Sequence, residues 1–229
     1  MHKETVLISV GGSLIAPEKV DSDFLKKFTV FIRKKVSRGT RFILIAGGGK
    51  TARNYQDGLR LTKKVSKKDI DWIGIHATRL NAELLRLTLG DIAHDTIISN
   101  PTERVETRKP VIIACGWKPG CSTDYDAVLL AKNFGVRRII NLSNIDYVYT
   151  HDPRTDKNAK PIRETTWKKF RALLPKRWSP GLSTPFDPVA ARQAEKMGIE
   201  VAIINGKRTL EIEKCLAGKK FIGTVIKQI

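Results

Sequence analysis

Three short apolar runs, each ending in a glycine-rich loop, constrain this chain more than any other feature. Runs of this length that are rich in Val and Ile are typical of buried strands. Glycine lets a backbone amide approach a phosphate closely, and ligands of open parallel sheets bind beyond the carboxyl ends of the strands. One such loop indicates only a turn, but three predict a crevice for more than one phosphate group. The runs and their loops are 6–10 with 11–13, 41–46 with 47–50, and 111–114 with 116–120.

Segments with helical spacing alternate with apolar runs along the chain. Strands that alternate with helices indicate a parallel sheet covered on both faces. We therefore predict an α/β fold, a three-layer αβα sandwich with a largely parallel central sheet. The Pro-, Lys- and Trp-rich stretch 150–185 is expected to be a mobile loop or a small insertion. The helix-like segments are 24–37, 51–61, 71–89, 125–134 and 187–197, and the further strand-like runs are 96–98, 138–142, 200–204 and 221–226.

Length and composition limit the class of protein. The 229 residues suffice for one well-buried domain or two closely packed lobes. No run of about 18 apolar residues occurs and the N-terminus lacks the features of a signal peptide, so no membrane association is predicted. Cys115, Cys121 and Cys215 have no CxxC spacing and indicate neither a disulfide framework nor a zinc site. These features favour a reducing cytoplasm.

The net charge is unusually high. With 42 Lys and Arg against 23 Asp and Glu, the formal charge is +19, which attracts polyanions such as nucleotides and nucleic acid. The basic residues form short clusters such as 33–35 and 63–64, without one dominant tract. A solvated basic surface is the favoured interpretation. A nucleic-acid face and electrostatic steering of anionic substrates are the alternatives.

The loop sequences lack two common nucleotide-binding motifs and resemble a different family. Neither a GxxxxGK[ST] P-loop nor a GxGxxG dinucleotide fingerprint occurs. Segments over nearly the whole chain, in the same order, instead resemble the archaeal-type UMP kinases of the amino acid kinase superfamily. They are ISVGGSL at 8–14, GGGKTARNY at 47–55, DWIGI at 71–75, TRLNA at 78–82, KPGCSTD at 118–124, SNIDYVYTHDP at 143–153 and FDPVAA at 186–191.

This resemblance implies a kinase that transfers the γ-phosphoryl group of ATP to UMP with Mg²⁺, giving UDP and ADP in pyrimidine nucleotide biosynthesis. It also implies one domain over 1–229, with 1–125 as the acceptor and phosphate side and 126–229 as the ATP side. A homo-oligomer is expected, since the family typically forms hexamers built from dimers. The alternatives are another small-molecule kinase of the superfamily, or a nucleotide- or nucleic-acid-binding protein without catalysis.

The implied ATP site combines the first loop with later segments. Gly11, Gly12 and Ser13 hold the phosphates through backbone amides, and the Arg53 guanidinium can form forked bonds to phosphate oxygens. A structural turn and a solvated arginine are the competing interpretations. The implied ATP-binding residues are Ser9, Gly11, Gly12, Ser13, Gly49, Arg53, Ser143, Asn144, Tyr149 and Asp152.

The implied UMP site lies at the second and third loops. Asp71 resembles the residue that binds the ribose, because a carboxylate accepts from two adjacent hydroxyls; a helix N-cap is the competing interpretation. Trp117 has two open roles, stacking on the acceptor base or packing. The implied UMP-binding residues are Gly48, Asp71, Trp117, Lys118, Pro119, Gly120, Cys121, Ser122 and Thr123.

Asp124 resembles the acidic residue that organises the transfer centre in this superfamily. Phosphoryl transfer requires positioning and charge neutralisation more than covalent chemistry from the protein. Asp124 could orient cationic groups or help to hold Mg²⁺, while capping by Asp124 or Asp126 is the competing interpretation. The implied catalytic residues are Asp124, Arg53 and Lys50, and no set of protein metal ligands is assigned.

One departure from the family pattern concerns charge. Many relatives have a strand lysine two residues before the glycine pair, and this chain has Ser9 there. If the chain is a kinase, the missing positive charge must come from Lys50, Arg53, Lys118 or the metal ion. The source of the neutralising positive charge is therefore the weakest part of the kinase prediction.

Other departures lie in the loops. Trp117 replaces a small polar residue, and Lys118 and Cys121 stand where histidines are often found. Tyr147 occupies a usual glycine position and is expected to alter that turn, and Asp126 interrupts a run that is usually apolar. These departures affect the expected substrate preference and rate rather than the fold.

Overall fold

Strands alternate with helices in the computed structural model, which describes residues 4–62, 64–175 and 184–228. The strands are β1 (Glu4–Val10), β2 (Thr40–Ala46), β3 (Val111–Ala114), β4 (Arg138–Ser143), β5 (Val148–Tyr149), β6 (Pro161–Ile162), β7 (Glu164–Thr166), β8 (Glu200–Asn205) and β9 (Thr224–Lys227). The helices are α1 (Gly12–Ile15), α2 (Ser22–Val36), α3 (Gly49–Thr62), α4 (Lys67–Leu89), α5 (Thr123–Asn133), α6 (Trp167–Ala172), α7 (Pro188–Lys196) and α8 (Thr209–Leu216). A short 3₁₀ helix spans Gly90–Ile92.

The described strands form a central sheet with the order β3-β2-β1-β4-β8-β9-β7. From β3 to β8 all neighbouring strands pair in parallel, and β1 lies between β2 and β4. Strand β9 runs antiparallel to β8 and parallel to β7. A separate antiparallel ribbon joins β5 to β6. The prediction of a largely parallel sheet is confirmed.

Helices cover both faces of this sheet. Side chains alternate along a strand, so successive residues of β1 enter opposite cores. Ile8 belongs to the core on the side of α2, α4 and α8, where Phe28 is buried. Leu7 belongs to the core on the side of α5, α6 and α7, where Trp167 is buried. The predicted three-layer αβα sandwich is therefore confirmed.

Three predicted elements differ from the structure, one of them the run 221–226, which is a strand only from Thr224 onward. Helix α4 begins at Lys67 rather than at position 71, because the Ser66 side chain caps it and accepts from the Asp69 amide at 3.1 Å. The run 96–98 is not a strand: within it, Ile98 alone pairs with β3, through one isolated bridge to Ala114. Beyond that bridge the chain turns at 100–103, so the pairing does not continue.

The stretch 150–185, predicted to be a loop or insertion, has no helix or strand over 150–160 but joins the sandwich over 164–172. It supplies β6, β7 and α6. Trp167 and Phe170 are buried, and Trp167 Nε1 donates to the Ile199 carbonyl at 3.0 Å. The burial of these aromatic side chains outweighs the Pro and Lys content that suggested a loop. Residues 176–183 of the stretch lie outside the described residues.

Candidate active site

The first two glycine loops meet at the carboxyl edge of the sheet. Parallel neighbours end at the same edge, so the loops after β1 and β2 emerge side by side. The Gly11 amide donates to the Leu142 carbonyl of β4, and the Gly47 amide donates to the Val10 carbonyl, each at 2.9 Å. These bonds fix both loops to neighbouring strands just where the strands end.

The two loops touch through their backbones. A Cβ added at Gly12 would lie 2.3 Å from the Gly49 nitrogen, and one added at Gly49 would lie 2.2 Å from the Gly12 carbonyl carbon. Gly49 also has a φ of +60°, which favours glycine. Glycine is therefore required at both positions, and the two loops form one continuous main-chain surface.

Four amides of this surface are free to bind an anion. Gly12 and Ser13 begin α1, while Gly48 and Gly49 lead into α3, and in the described part of the chain their N–H groups have no hydrogen-bond acceptor. The first N–H groups of a helix lack intrahelical partners and carry positive potential. Such an arrangement suits phosphate oxygens.

Asn81 sets the orientation of the second loop. This buried side chain of α4 donates from Nδ2 to the Gly47 carbonyl at 2.8 Å and to the Gly48 carbonyl at 3.3 Å. In a trans peptide the following N–H points away from the carbonyl. The Gly48 and Gly49 amides therefore point away from α4. Sequence reasoning gave Asn81 no role, although a polar residue on the buried side of an amphipathic helix was a usable signal.

The third loop, which follows β3, is held through its backbone amides by buried side chains of α4 and α5. Each bond joins an amide of the loop to an oxygen that no other described donor uses. The pairs are Gly116 N to Thr78 Oγ1 at 2.8 Å, Trp117 N to Asp126 Oδ2 at 3.0 Å, and Gly120 N to Asp71 Oδ2 at 2.7 Å. The conformation of this loop is thus fixed by residues distant in sequence.

Asp71 lies inside α4 and faces the third loop. The competing N-cap interpretation was wrong, because Ser66 caps the helix. Burial raises the pKa of Asp71, and the Gly120 amide that it accepts from opposes that shift. A buried carboxylate beside the implied UMP loop is suited to accept from ribose hydroxyls.

Asp124 lies at the end of the central strands. Its Oδ2 accepts from the Asp187 amide at 2.9 Å and its Oδ1 accepts from Asn141 Nδ2 at 3.4 Å. Asn141 is the register partner of Ser9, so Ser9 also lies in this region. Burial raises the pKa of Asp124 to about 7; the Asp187 amide lowers it and the Asp187 charge raises it.

Two further buried carboxylates lie near Asp124. Burial raises the pKa of Asp126 to about 7, and burial also raises the pKa of Asp187. Asp187 caps α7 through Oδ1. The capping interpretation of Asp124 and Asp126 was wrong for α5, because Ser122 caps that helix and accepts from the Tyr125 amide at 3.2 Å.

The predicted cations are not gathered at Ser9. Lys50 Nζ lies 3.6 Å from the Glu18 carboxylate, and Arg53 is exposed on α3. Lys118 Nζ lies 3.7 Å from the centroid of the Trp117 ring, on the third loop. Ser9 itself is buried. Among the described residues, therefore, no hydrogen bond links any of the three predicted cations to Ser9, the position of the strand lysine.

The other residues implied for UMP binding differ in burial and in their position on the third loop and α5. Pro119 is half-buried and Thr123 is the first residue of α5, directly after the cap Ser122. Cys121 is also half-buried, and burial raises the pKa of its thiol to about 11. The third loop thus brings its predicted residues together around one turn.

A cavity of about 580 Å³ opens beyond β4. The predicted ATP residues Ser143, Asn144, Tyr149 and Asp152 all line it. Sequence reasoning missed the apolar side chains that form one wall of this cavity, because they come from segments distant from the predicted ATP residues. They are Phe170, Leu173, Leu174 and Pro185.

Two side chains of this cavity make contacts that the sequence did not predict. Asp152 pairs with Arg154 at 2.7 Å, and this contact lowers the pKa of Asp152 to about 2. Tyr147, expected to alter its turn, fits without strain: the described residues other than glycine all have negative φ. Its ring meets Tyr149 edge-on, with centroids 6.4 Å apart, and lines the cavity.

Mg²⁺ is the ion that the resemblance implies. Among the described residues, no group of three or more His, Cys, Asp and Glu side chains is arranged to hold a metal ion. Mg²⁺, however, is commonly bound by one or two carboxylates together with phosphates and water. The half-buried Asp124 carboxylate fits a single contact of that kind.

Comparisons with known proteins agree with this geometry. The model of the "Amino acid kinase family" matches residues 4–205. The chain is 32% identical to the uridylate kinase of Hyperthermus butylicus over 99% of both chains, and 32% identical to that of Pyrococcus abyssi over 93% of this chain and 96% of the relative. The crystal structure of uridylate kinase from Archaeoglobus fulgidus superposes with a TM-score of 0.82 at 31% identity, covering 96% of this chain and 99% of that one. From its fold, its glycine loops and these full-length matches, the chain belongs to the amino acid kinase family.

Proposed function

We propose that the protein is a UMP kinase, which transfers the γ-phosphoryl group of ATP to UMP and releases UDP and ADP. One observation carries the proposal: the free amides of the first two loops lie between the anchored third loop and the cavity beyond β4. That arrangement suits two nucleotides whose phosphates meet at the loops. The relatives that match this chain over nearly its whole length are named uridylate kinases.

Each nucleotide has a place in this scheme. ATP enters the cavity beyond β4 with its phosphates on the amides of Gly12, Ser13 and Gly49. UMP lies against the third loop, with its ribose hydroxyls donating to Asp71. The acceptor is already a phosphate oxygen, which scarcely needs deprotonation near pH 7, so no general base is assigned. The residues then act by positioning the two phosphates in line and by stabilising charge.

We assign the two halves of the chain to different substrates within one kinase domain. Residues 1–125 supply the first three loops and Asp71, and so form the acceptor and phosphate side. Residues 126–229 supply most of the cavity lining and form the ATP side. Asp124 lies at the junction, where it can act on the transferring group.

Mg²⁺ bound with ATP would neutralise charge on the phosphates, and Asp124 is the carboxylate that would hold it. The Arg53 guanidinium and the Lys50 and Lys118 ammonium groups are the nearest candidates to replace the strand lysine. Lys50 pairs with the mostly exposed Glu18, and such a surface pair is weak. Lys50 can therefore turn toward a bound phosphate at little cost.

We also propose a homo-oligomer, with the hexamer of the family as the expected form. Helix α3 buries Ala52 and Gln56, while large apolar side chains on α3 and α4 are exposed. Exposed apolar side chains in one region mark an interaction surface. These are Tyr55, Leu61, Trp72, Leu80 and Leu87. Light scattering coupled to size-exclusion chromatography measures the assembly directly.

The proposed location is the cytoplasm, where pyrimidine nucleotides are made. No described helix is both long and apolar enough to cross a membrane. Cys115, Cys121 and Cys215 are free thiols in the structure, as a reducing compartment permits.

The decisive experiment is ADP release in a coupled assay with Mg²⁺ and ATP, comparing UMP, CMP, dUMP, AMP and simple carboxylates. We expect UMP to be the preferred acceptor. Turnover with a carboxylate but not with UMP would indicate another kinase of the superfamily. Tight, strongly salt-dependent binding of RNA without turnover would indicate a nucleic-acid-binding protein instead.

A further inference from the structure

Asp126 is a buried carboxylate that the transfer scheme leaves without a role. Its side chain is fully enclosed on α5. Oδ2 accepts from the Trp117 amide at 3.0 Å, and Oδ1 is buried with no hydrogen-bond partner among the described residues. Burying an ionisable group is costly unless it is paired. Because the family pattern has an apolar residue there, the bond to Trp117 needs a reason.

The partner of Asp126 is itself a departure from the family pattern. Trp117 replaces a small polar residue in the third loop, and the two positions are nine residues apart in sequence. The resemblance treats these as separate changes, but the structure joins them by a hydrogen bond. The two changes therefore form one local arrangement.

The Trp117 amide lies between the two other fixed points of the loop. Gly116 is held by Thr78 and Gly120 by Asp71, and both of these side chains belong to α4. Asp126 instead connects the loop to α5. The carbonyl of the same peptide accepts only a weak bond from Cys115 Sγ, at 3.5 Å. Loss of Asp126 would therefore leave the peptide before Trp117 weakly held, and the indole ring would move with it.

The indole ring in turn positions a cation. Lys118 Nζ lies 3.7 Å from the ring centroid, in the range of a cation–π contact. Burial dominates the pKa of Asp126, and the charge of Lys118 is among the influences that lower it, so the two charges are within electrostatic reach. Asp126 thereby influences both the ring and the ammonium group.

We propose that Asp126 is a positioning residue for the acceptor nucleotide: by holding the Trp117 amide, it fixes the indole ring and the Lys118 ammonium group against UMP. This inference rests on the proposed function of the site. Lys118 lies on one face of the ring, and the opposite face is the one on which a base would stack. The Lys118 charge, held next to the ring, would add positive potential around the acceptor monophosphate. Asp126 itself touches neither part of the acceptor.

The test compares Asp126→Val, Asp126→Asn and Val128→Ala in steady-state assays with each substrate varied. Val128 is buried on the same helix and does not contact the third loop through a hydrogen bond, so Val128→Ala measures general weakening of α5. For Asp126→Val we expect the KM for UMP to rise on the order of 10-fold or more, with the KM for ATP changed less than about twofold. Asp126→Asn keeps an oxygen for the Trp117 amide and should show a smaller rise.

Two results would overturn the inference. One is an unchanged KM for UMP in Asp126→Val. The other is an equal rise in both KM values that Val128→Ala reproduces, since that would show a structural role alone.

A second measurement does not depend on UMP turnover. Without nucleotides, the Trp117 amide should exchange with solvent at least 10-fold faster in Asp126→Val than in Val128→Ala, because its acceptor is lost. Absence of UMP-dependent turnover in the wild-type protein would refute the proposed function. Unchanged Trp117 exchange would refute the role of Asp126 instead.

Discussion

The proposed acceptor side and the proposed ATP side of this protein are built differently. On the acceptor side, the third loop is held amide by amide by the buried side chains Thr78, Asp126 and Asp71. On the ATP side, the cavity of about 580 Å³ is lined mostly by half-buried and exposed residues, and its Asp152 is paired with the exposed Arg154. The difference indicates a preorganised acceptor site next to a more adaptable ATP site.

Preorganisation has a consequence for substitutions. A bond to a buried side chain cannot be replaced by water without rearrangement, whereas an exposed ion pair can be. Substitutions on the acceptor side should therefore have large and substrate-specific effects. Those on the ATP side should have small effects, and the junction at Asp124 should affect the reaction itself.

The largest effect is expected at that junction. Asp124→Asn should lower kcat on the order of 10²- to 10³-fold with little change in either KM, because charge stabilisation in the transition state is lost. Initial rates at saturating UMP and ATP measure it. Asp57→Asn, an exposed carboxylate on α3, is the control. A decrease of kcat below about 10-fold would place the organising charge elsewhere.

The next effect tests the acceptor side. Asp71→Asn should raise the KM for UMP on the order of 10- to 100-fold, since the charged partner of the ribose hydroxyls is lost, while Gly120 keeps an oxygen acceptor. The KM for ATP should stay within about twofold. Comparable increases for both substrates would contradict the division into two sides.

A smaller effect on both substrates is expected from the second loop. Asn81→Ala leaves the Gly47 and Gly48 carbonyls without their buried donor, so the phosphate-binding amides lose their orientation. We expect kcat/KM to fall about 10-fold for UMP and for ATP, and the free energy of unfolding to fall by about 1–3 kcal/mol. Urea denaturation and steady-state kinetics measure the two quantities. Loss of stability with unchanged kinetics would assign Asn81 a structural role only.

The burial of Asp71 also predicts a pH dependence of stability. Its folded pKa lies above the unfolded value of 3.8, so the folded state binds the proton more tightly and stability falls as pH rises from about 4 through the folded pKa. Asp71→Asn removes this cost. The urea concentration at the midpoint of unfolding should be higher for Asp71→Asn than for wild type at pH 8. This difference between the two proteins should shrink toward pH 4. A difference that is constant over this range would contradict the assignment.

The smallest effect is expected on the ATP side. Arg154→Ala releases Asp152 from its exposed ion pair, which should change the KM for ATP less than about threefold and leave the KM for UMP unchanged. The shift should diminish at high salt. A change of KM for ATP above about 10-fold would show that the ATP side is as rigidly organised as the acceptor side.

Local patterns predicted much of this architecture. The runs that became β1, β2 and β3 are short, apolar and followed by glycine, which is a local pattern, so sequence was enough to place them. The cavity residues Ser143 and Tyr149 were found through family resemblance. The bond from Asn81 to the second loop spans more than 30 positions, and that from Asp126 to Trp117 depends on how α5 packs. Such contacts arise from tertiary structure and leave no pattern in a single sequence.

The direct contact between Gly12 and Gly49 has a consequence for how this enzyme can diversify. Because the surface that would receive the phosphates is made of main chain, no side chain there can be exchanged to tune it, and substitution can only damage it. Evolution of substrate choice must therefore occur in the surrounding loops. The phosphate-binding centre would stay constant, while its periphery, which includes Trp117, Lys118 and Asp126, would be free to vary.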